Sequence, residues 1–351
     1  MSGGVNGATN AHRFELSGPS HLTSVNWGNA DDCRCVAATL VQSVYILERD
    51  RQNNRQGSNT LASPWWKFFH FKLIHQLVDD DDDPSIFGAV FEFIPPPFGS
   101  MPWTRVPPPR YVIAFRGTIL EADSLSQDMR LNIGIMTNCL HRASRYDLAM
   151  QAVENMIAAC GGGSNIWIAG HSLGSALGLL VGENMVNSGV FLQTYLFNPP
   201  FVSPPTEWIK SCKVKKVLRV GKCLAKAGLA KIAKNKLQRQ QSDDRFTRLS
   251  PWFPSLFVHP ADHICSGYID YFEGRKTMQH IGAGRIERLA MQHSRTSILL
   301  NVVGKESEPS HLVPSACLTI NDSPALGLKQ AHEIDQWWRM DLRLRSSIYQ
   351  Y

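Results

Sequence analysis

The chain has 351 residues, 43% of them hydrophobic and 19% charged, which excludes compositional disorder and supplies a sizeable core for one large domain. No stretch approaches the roughly 18 uninterrupted apolar residues of a membrane span, and the polar, glycine-rich start lacks a signal-peptide core, so a cytoplasmic protein is expected. The net charge of +6 is local: Lys210 to Arg239 holds eleven Lys and Arg and no acid, and setting those eleven against +6 leaves the rest of the chain at −5.

Taken in chain order, residues 1–20 read as a flexible tail and 21–351 as a single domain with a basic insertion at about 210–245. The eight cysteines are scattered, with only Cys33 and Cys35 close together, which is neither a zinc spacing nor a disulfide framework. Residues 35–50 carry apolar side chains at helical spacing, and Trp65 to Val78 is a second, aromatic-rich helix candidate stopped by Asp79 to Asp83 and Pro84. That aspartate run lacks the alternating ligands and turn glycine of a calcium loop, so it reads as a solvated loop. Ser85 to Ile94 and Arg110 to Phe115 are expected strands, joined by a seven-proline segment that forbids helix and sheet interior and suits a stiff hairpin excursion.

Tyr146 to Cys160 reads as an amphipathic helix stopped by three glycines, Asn165 to Ala169 as a buried strand, Ser175 to Asn187 as a helix and Thr194 to Phe197 as a strand. Short buried strands alternating with helices predict the α/β class, with a mainly parallel central sheet flanked by helices.

Between the Asn165 strand and the following helix lies Gly170-His171-Ser172-Leu173-Gly174. G-x-S-x-G arises by chance in roughly one chain in ten of this length, so its context decides. An apolar strand before it and a small-residue helix after it are the setting of a nucleophile elbow, in which the serine sits on a strained turn and glycines leave space for close backbone approach. The competing reading is a packing turn with an idle serine. His171 adjoins Ser172 on the turn and projects elsewhere, so it is assigned to packing or to the rim of the site. An oxyanion needs donors: the Leu173 N–H at the helix start is one, and the loop Arg116-Gly117-Thr118 after the Tyr111 strand offers Thr118 as the second.

A strand ending in F-R-G-T, some fifty residues before an aliphatic strand and G-H-S-L-G-S-A, resembles the class 3 lipase family of α/β-hydrolases, particularly its intracellular plant members, some of them labelled GDSL esterase/lipase. The resemblance implies an α/β-hydrolase fold, an oxyanion role for Thr118 and a structural aspartate at Asp128. In α/β-hydrolases an acid and then a histidine follow the serine in the chain. Asp262, in LFVHPADHICSGYIDYF, is similar to the family's acid region, with Asp270 in reserve. His332, in QAHEIDQWW, resembles the family's C-terminal histidine at a helix start, and His311, in PSHLVPSA, is the alternative base. The family's F-G-x-P segment is Phe197-Asn198-Pro199-Pro200 here, a change expected to reshape the acyl pocket. The family's short apolar lid corresponds to Leu131 to Leu140, which also suits an ordinary buried helix.

The reading is a serine ester hydrolase of the lipase/esterase type, cleaving carboxylic esters of acyl lipids by a Ser172-His332-Asp262 triad and an acyl-enzyme, without metal or organic cofactor. Its alternative is an impaired hydrolase serving as a lipid- or protein-binding module, and acyl transfer to an alcohol would use the same residues. Lys210 to Arg239 forms no clean amphipathic stripe and contains no aromatic residue for base stacking. It is a solvated insertion or a contact with anionic membrane surfaces, and nucleic acid is not expected.

Overall fold

The structure is a computed structural model and describes residues 18–19, 21–22, 24–61, 65–79, 84–96, 106–119, 144–201, 244–280 and 312–351. The tail apart from 18–19, Asp80 to Asp83, Asp128, the lid candidate Leu131 to Leu140, the basic segment Lys210 to Arg239 and His311 lie outside the described residues.

Helix α1 (Ala30–Gln52) starts at Asn29, whose side chain accepts the Asp31 N–H at 2.8 Å. Asp31 and Asp32 in its first turn and Arg49 and Arg51 in its last complement the helix dipole. Val36, Leu40 and Val44, four residues apart, are fully buried and set the face that packs on the sheet.

Among the described residues one eight-stranded sheet runs in sequence order: β1 (Phe71–Val78), β2 (Ile86–Phe93), β3 (Tyr111–Phe115), β4 (Ile166–His171), β5 (Gln193–Phe197), β6 (Ser255–Val258), β7 (Ala316–Asn321) and β8 (Leu344–Tyr349). Strands β3 to β7 are parallel, and the outer pairs β1–β2, β2–β3 and β7–β8 are antiparallel. The chain is therefore of the α/β class with a mainly parallel centre. The two-residue alternation of the strands divides the core. Val112, Ala114, Trp167 and Ala169 pack with α1, whereas Tyr111, Ile113, Ile166 and Ile168 pack with α2 (Ser144–Cys160) and α3 (Leu173–Asn187). A third cluster joins α4 (Gly267–His280) to β6 and β7 through Tyr268, Phe272, Leu256 and Leu318. With helices covering both faces, the polar chemistry gathers at the carboxyl ends of the parallel strands.

Two expectations are corrected. Trp65 to Val78 is not a helix: a 3-10 turn over Trp65–Phe69 ends at His70, with φ of 61°, and the chain then enters β1. A register shift between Leu73 and His75 breaks the alternation, which hid the strand behind apolar residues that also suit helical spacing. Asp79 is not solvated either. It is buried and accepts the Ser85 N–H and Arg145 Nε, each at 2.6 Å, closing the β1–β2 connection. Among the described residues no helix is long and apolar enough to cross a membrane, and the five described cysteines form no disulfide.

Candidate active site

Strand β4 ends at His171 and α3 begins at Leu173, leaving Ser172 at the bend with φ of 53° and ψ of −123°. A left-handed backbone at a residue with a Cβ costs on the order of 1–3 kcal/mol and persists only where its surroundings fix it. Here the Ser172 N–H donates to the Phe197 carbonyl at 3.0 Å, and the Ser175 hydroxyl is 2.7 Å from both the Gly170 and Phe197 carbonyls. The flanking glycines are a steric requirement. A Cβ on Gly170 would run into the Gly174 carbonyl, and one on Gly174 into the carbonyls of Phe115 and Arg116 at the end of β3.

Three distant segments meet at this bend. His332 Nε2 lies 3.0 Å from Ser172 Oγ, and His332 Nδ1 lies 2.8 Å from Asp262 Oδ2. His332 ends the short helix α5 (Leu328–His332) instead of starting one as expected, and Asp262 follows β6. A carboxylate oxygen only accepts, so Nδ1 carries the proton and Nε2 is left to accept from the serine hydroxyl. Asp262 is fully buried. Its Oδ2 also accepts from Asn198 Nδ2 at 2.7 Å and the Cys265 thiol at 3.1 Å, and its Oδ1 accepts the Ile264 N–H at 3.0 Å. Burial by itself pushes this carboxyl upward, but the His332 imidazole and the hydrogen bonds from His332, Asn198 and Cys265 outweigh it, and the group is held below the usual carboxylate value. Asp262 therefore stays ionised next to its histidine. Asp270 lies in the first turn of α4 and is not part of this cluster.

Thr118 follows Gly117 at the end of β3 and is exposed. Gly117 is pressed against the nucleophile: a Cβ there would stand 2.8 Å from Ser172 Cβ. Among the described residues, neither the Leu173 N–H nor the Thr118 N–H has a hydrogen-bond partner. His171 is at neither a rim nor a purely apolar contact. It is buried, with Nδ1 2.7 Å from Tyr45 Oη and Nε2 2.7 Å from the His332 carbonyl.

Burial, with the nearby His332, pushes His171 down to about 3. Above about pH 6.5 both folded and unfolded His171 are neutral; as pH falls toward 3, only the unfolded chain takes up the proton, and stability falls by about 1.4 kcal/mol per pH unit. His259, also lowered by burial, adds the same sign. Urea unfolding at pH 6.5 and 4.5 is expected to show a smaller acid loss in His171→Gln than in wild type. Equal losses would place the titration elsewhere.

Asn198, Tyr45 and Cys265 are contributors that the sequence did not single out. The position of Asn198 was visible as a departure from the family's F-G-x-P, but not its purpose. Its backbone has φ of 48°, its amide donates to Asp262 and to the Ala331 carbonyl at 3.0 Å, and its oxygen accepts Trp337 Nε1 at 2.7 Å. It ties the acid to the segment that carries the histidine. A cavity of about 220 Å³ near His259, Asn321, Gln330 and Arg343 includes none of Ser172, Asp262 or His332 in its lining.

The chain is 45% identical over 348 residues to a GDSL esterase/lipase of Arabidopsis thaliana, covering 96% of this chain and 97% of that protein. No protein-family model matches the chain. No solved structure matches it either.

Proposed function

This chain belongs to the GDSL esterase/lipase family, whose members are carboxylic ester hydrolases, and from that premise we propose that it cleaves esters of acyl lipids with Ser172 as nucleophile on an α/β-hydrolase fold. The observation that carries the reading is the continuous relay from Ser172 Oγ through His332 to Asp262, at 3.0 and 2.8 Å, built around a serine with a left-handed backbone. Ser172 attacks the ester carbonyl as His332 Nε2 takes its proton. The oxyanion is met by the N–H groups of Leu173 and Thr118, and His332 returns the proton to the departing alcohol. Water, deprotonated by the same imidazole, then releases the acid from the acyl-enzyme. Asp262 fixes the tautomer and stabilises the imidazolium throughout.

The letters of the relative's name spell Gly-Asp-Ser-Leu, a tetrapeptide absent from this chain. Its nearest likeness, Ala122-Asp123-Ser124-Leu125, lies outside the described residues. A fluorophosphonate probe distinguishes the two serines. Wild type and Ser124→Ala are expected to be labelled and to hydrolyse a nitrophenyl ester, and Ser172→Ala to lose labelling and at least about 10⁴-fold in kcat/KM. Labelling that survives Ser172→Ala would refute the assignment.

A further inference from the structure

A second hydrogen-bonded chain runs beside the triad. A carbonyl oxygen only accepts, so the 2.7 Å contact to His332 O puts a proton on His171 Nε2. The buried ring is neutral, which leaves Nδ1 as an acceptor and requires Tyr45 to donate its O–H across 2.7 Å. The Tyr45 oxygen in turn accepts the Gly117 N–H at 2.7 Å. Every donor and acceptor is thereby assigned in one direction, from the Gly117 amide to the carbonyl of His332.

Both ends of this chain fall on the reaction machinery. Gly117 precedes Thr118, and a Cβ at Gly117 would come within 2.8 Å of Tyr45 Oη and 2.9 Å of the His171 carbonyl as well as meeting Ser172. The Gly117 carbonyl is held separately by Arg116 Nη1 at 2.6 Å, and the Arg116 guanidinium is anchored by the Ile86 carbonyl at 2.6 Å and by Glu48 at 3.9 Å. Tyr45 and Glu48 lie one turn apart on α1 and so grip the same loop from one helix face. Because the Gly117–Thr118 peptide is trans, fixing its carbonyl against Arg116 turns the Thr118 N–H the opposite way.

We propose that Tyr45 and His171 are positioning residues, a strut that sets the oxyanion loop and the catalytic base at a fixed separation across Ser172. Its catalytic meaning rests on the ester hydrolase reading above. A merely structural pair would move stability, whereas a strut between the oxyanion donor and the base moves kcat, since a misplacement of about 1 Å in such a site costs on the order of 100-fold.

The test compares wild type, Tyr45→Phe, His171→Asn and the double variant, using nitrophenyl ester kinetics, thermal melting and histidine ¹⁵N shifts. Tyr45→Phe is expected to melt cooperatively and to lose about 10- to 100-fold in kcat, with KM within about threefold of wild type. The double variant is expected to lose no more than about threefold beyond the worse single, because one broken link already breaks the strut. Unchanged kcat in Tyr45→Phe, a loss carried by KM, or losses that multiply in the double variant overturn the proposal. The ¹⁵N shifts read the strut without turnover: His171 protonated on Nδ1 overturns it directly. A wild type with the expected Nε2–H tautomer that turns over no ester overturns instead the hydrolase reading, and with it the strut's role in catalysis.

Discussion

Replacing His332 by alanine is expected to lower kcat/KM for an ester by about 10⁴-fold, while His311→Ala stays within about twofold of wild type. His332 Nε2 is 3.0 Å from Ser172 Oγ, and its other nitrogen is already committed to Asp262, so the ring has one orientation and one open acceptor. The serine would lose its base without losing its place, because its backbone is fixed by Phe197 and by the glycine contacts rather than by the imidazole. The fold should survive the change. Asp262 keeps its donors from Asn198, Ile264 and Cys265, so the buried carboxylate is not left bare. Steady-state kinetics on both purified variants, each checked for cooperative melting, decide the matter. A collapse of activity in His311→Ala with His332→Ala active would transfer the base to the other histidine.

How much of this could be read beforehand depended on sequence distance. Strands β2 to β5 and helices α1 to α3 were legible because each announces itself within its own span, through apolar runs, glycine stops or helical spacing. The G-x-S-x-G turn was legible for the same reason: its glycines are demanded by backbone contacts within two adjacent elements and the neighbouring end of β3. Asp262 and His332 are legible only through resemblance, since nothing local distinguishes them from other aspartates and histidines downstream of the serine. Strand β1 looks helical in the sequence because its register shift removes the two-residue period. The edge strand β8 has a largely exposed pattern with little apolar alternation to find. Tyr45 and Asn198 were invisible for a third reason. Their partners lie 126 and 64 residues away, in His171 and Asp262, and a core tyrosine or a turn asparagine carries no sign of such a contact.

Asp262→Asn is the more searching substitution, because it keeps shape and removes only charge and acceptor capacity. It is expected to cost about 10³- to 10⁴-fold in kcat with little change in KM, and in addition about 2–4 kcal/mol of stability. The carboxylate meets four donors: His332, Asn198 and Cys265 at Oδ2, and the Ile264 N–H at Oδ1. An amide has one oxygen. If that oxygen turns toward the three-donor side, the NH₂ faces the Ile264 N–H; if it turns the other way, the NH₂ confronts His332 Nδ1 and forces the ring's proton to Nε2, where it can no longer accept from Ser172. The first arrangement conserves the tautomer but loses the negative charge that stabilises the imidazolium, and the second loses the base altogether. Urea unfolding and ester kinetics on the same preparation separate the two costs. Near wild-type kcat in a variant destabilised as expected would mean that Asp262 organises the loop without assisting the histidine, and the triad would reduce to a dyad held in place by Asn198.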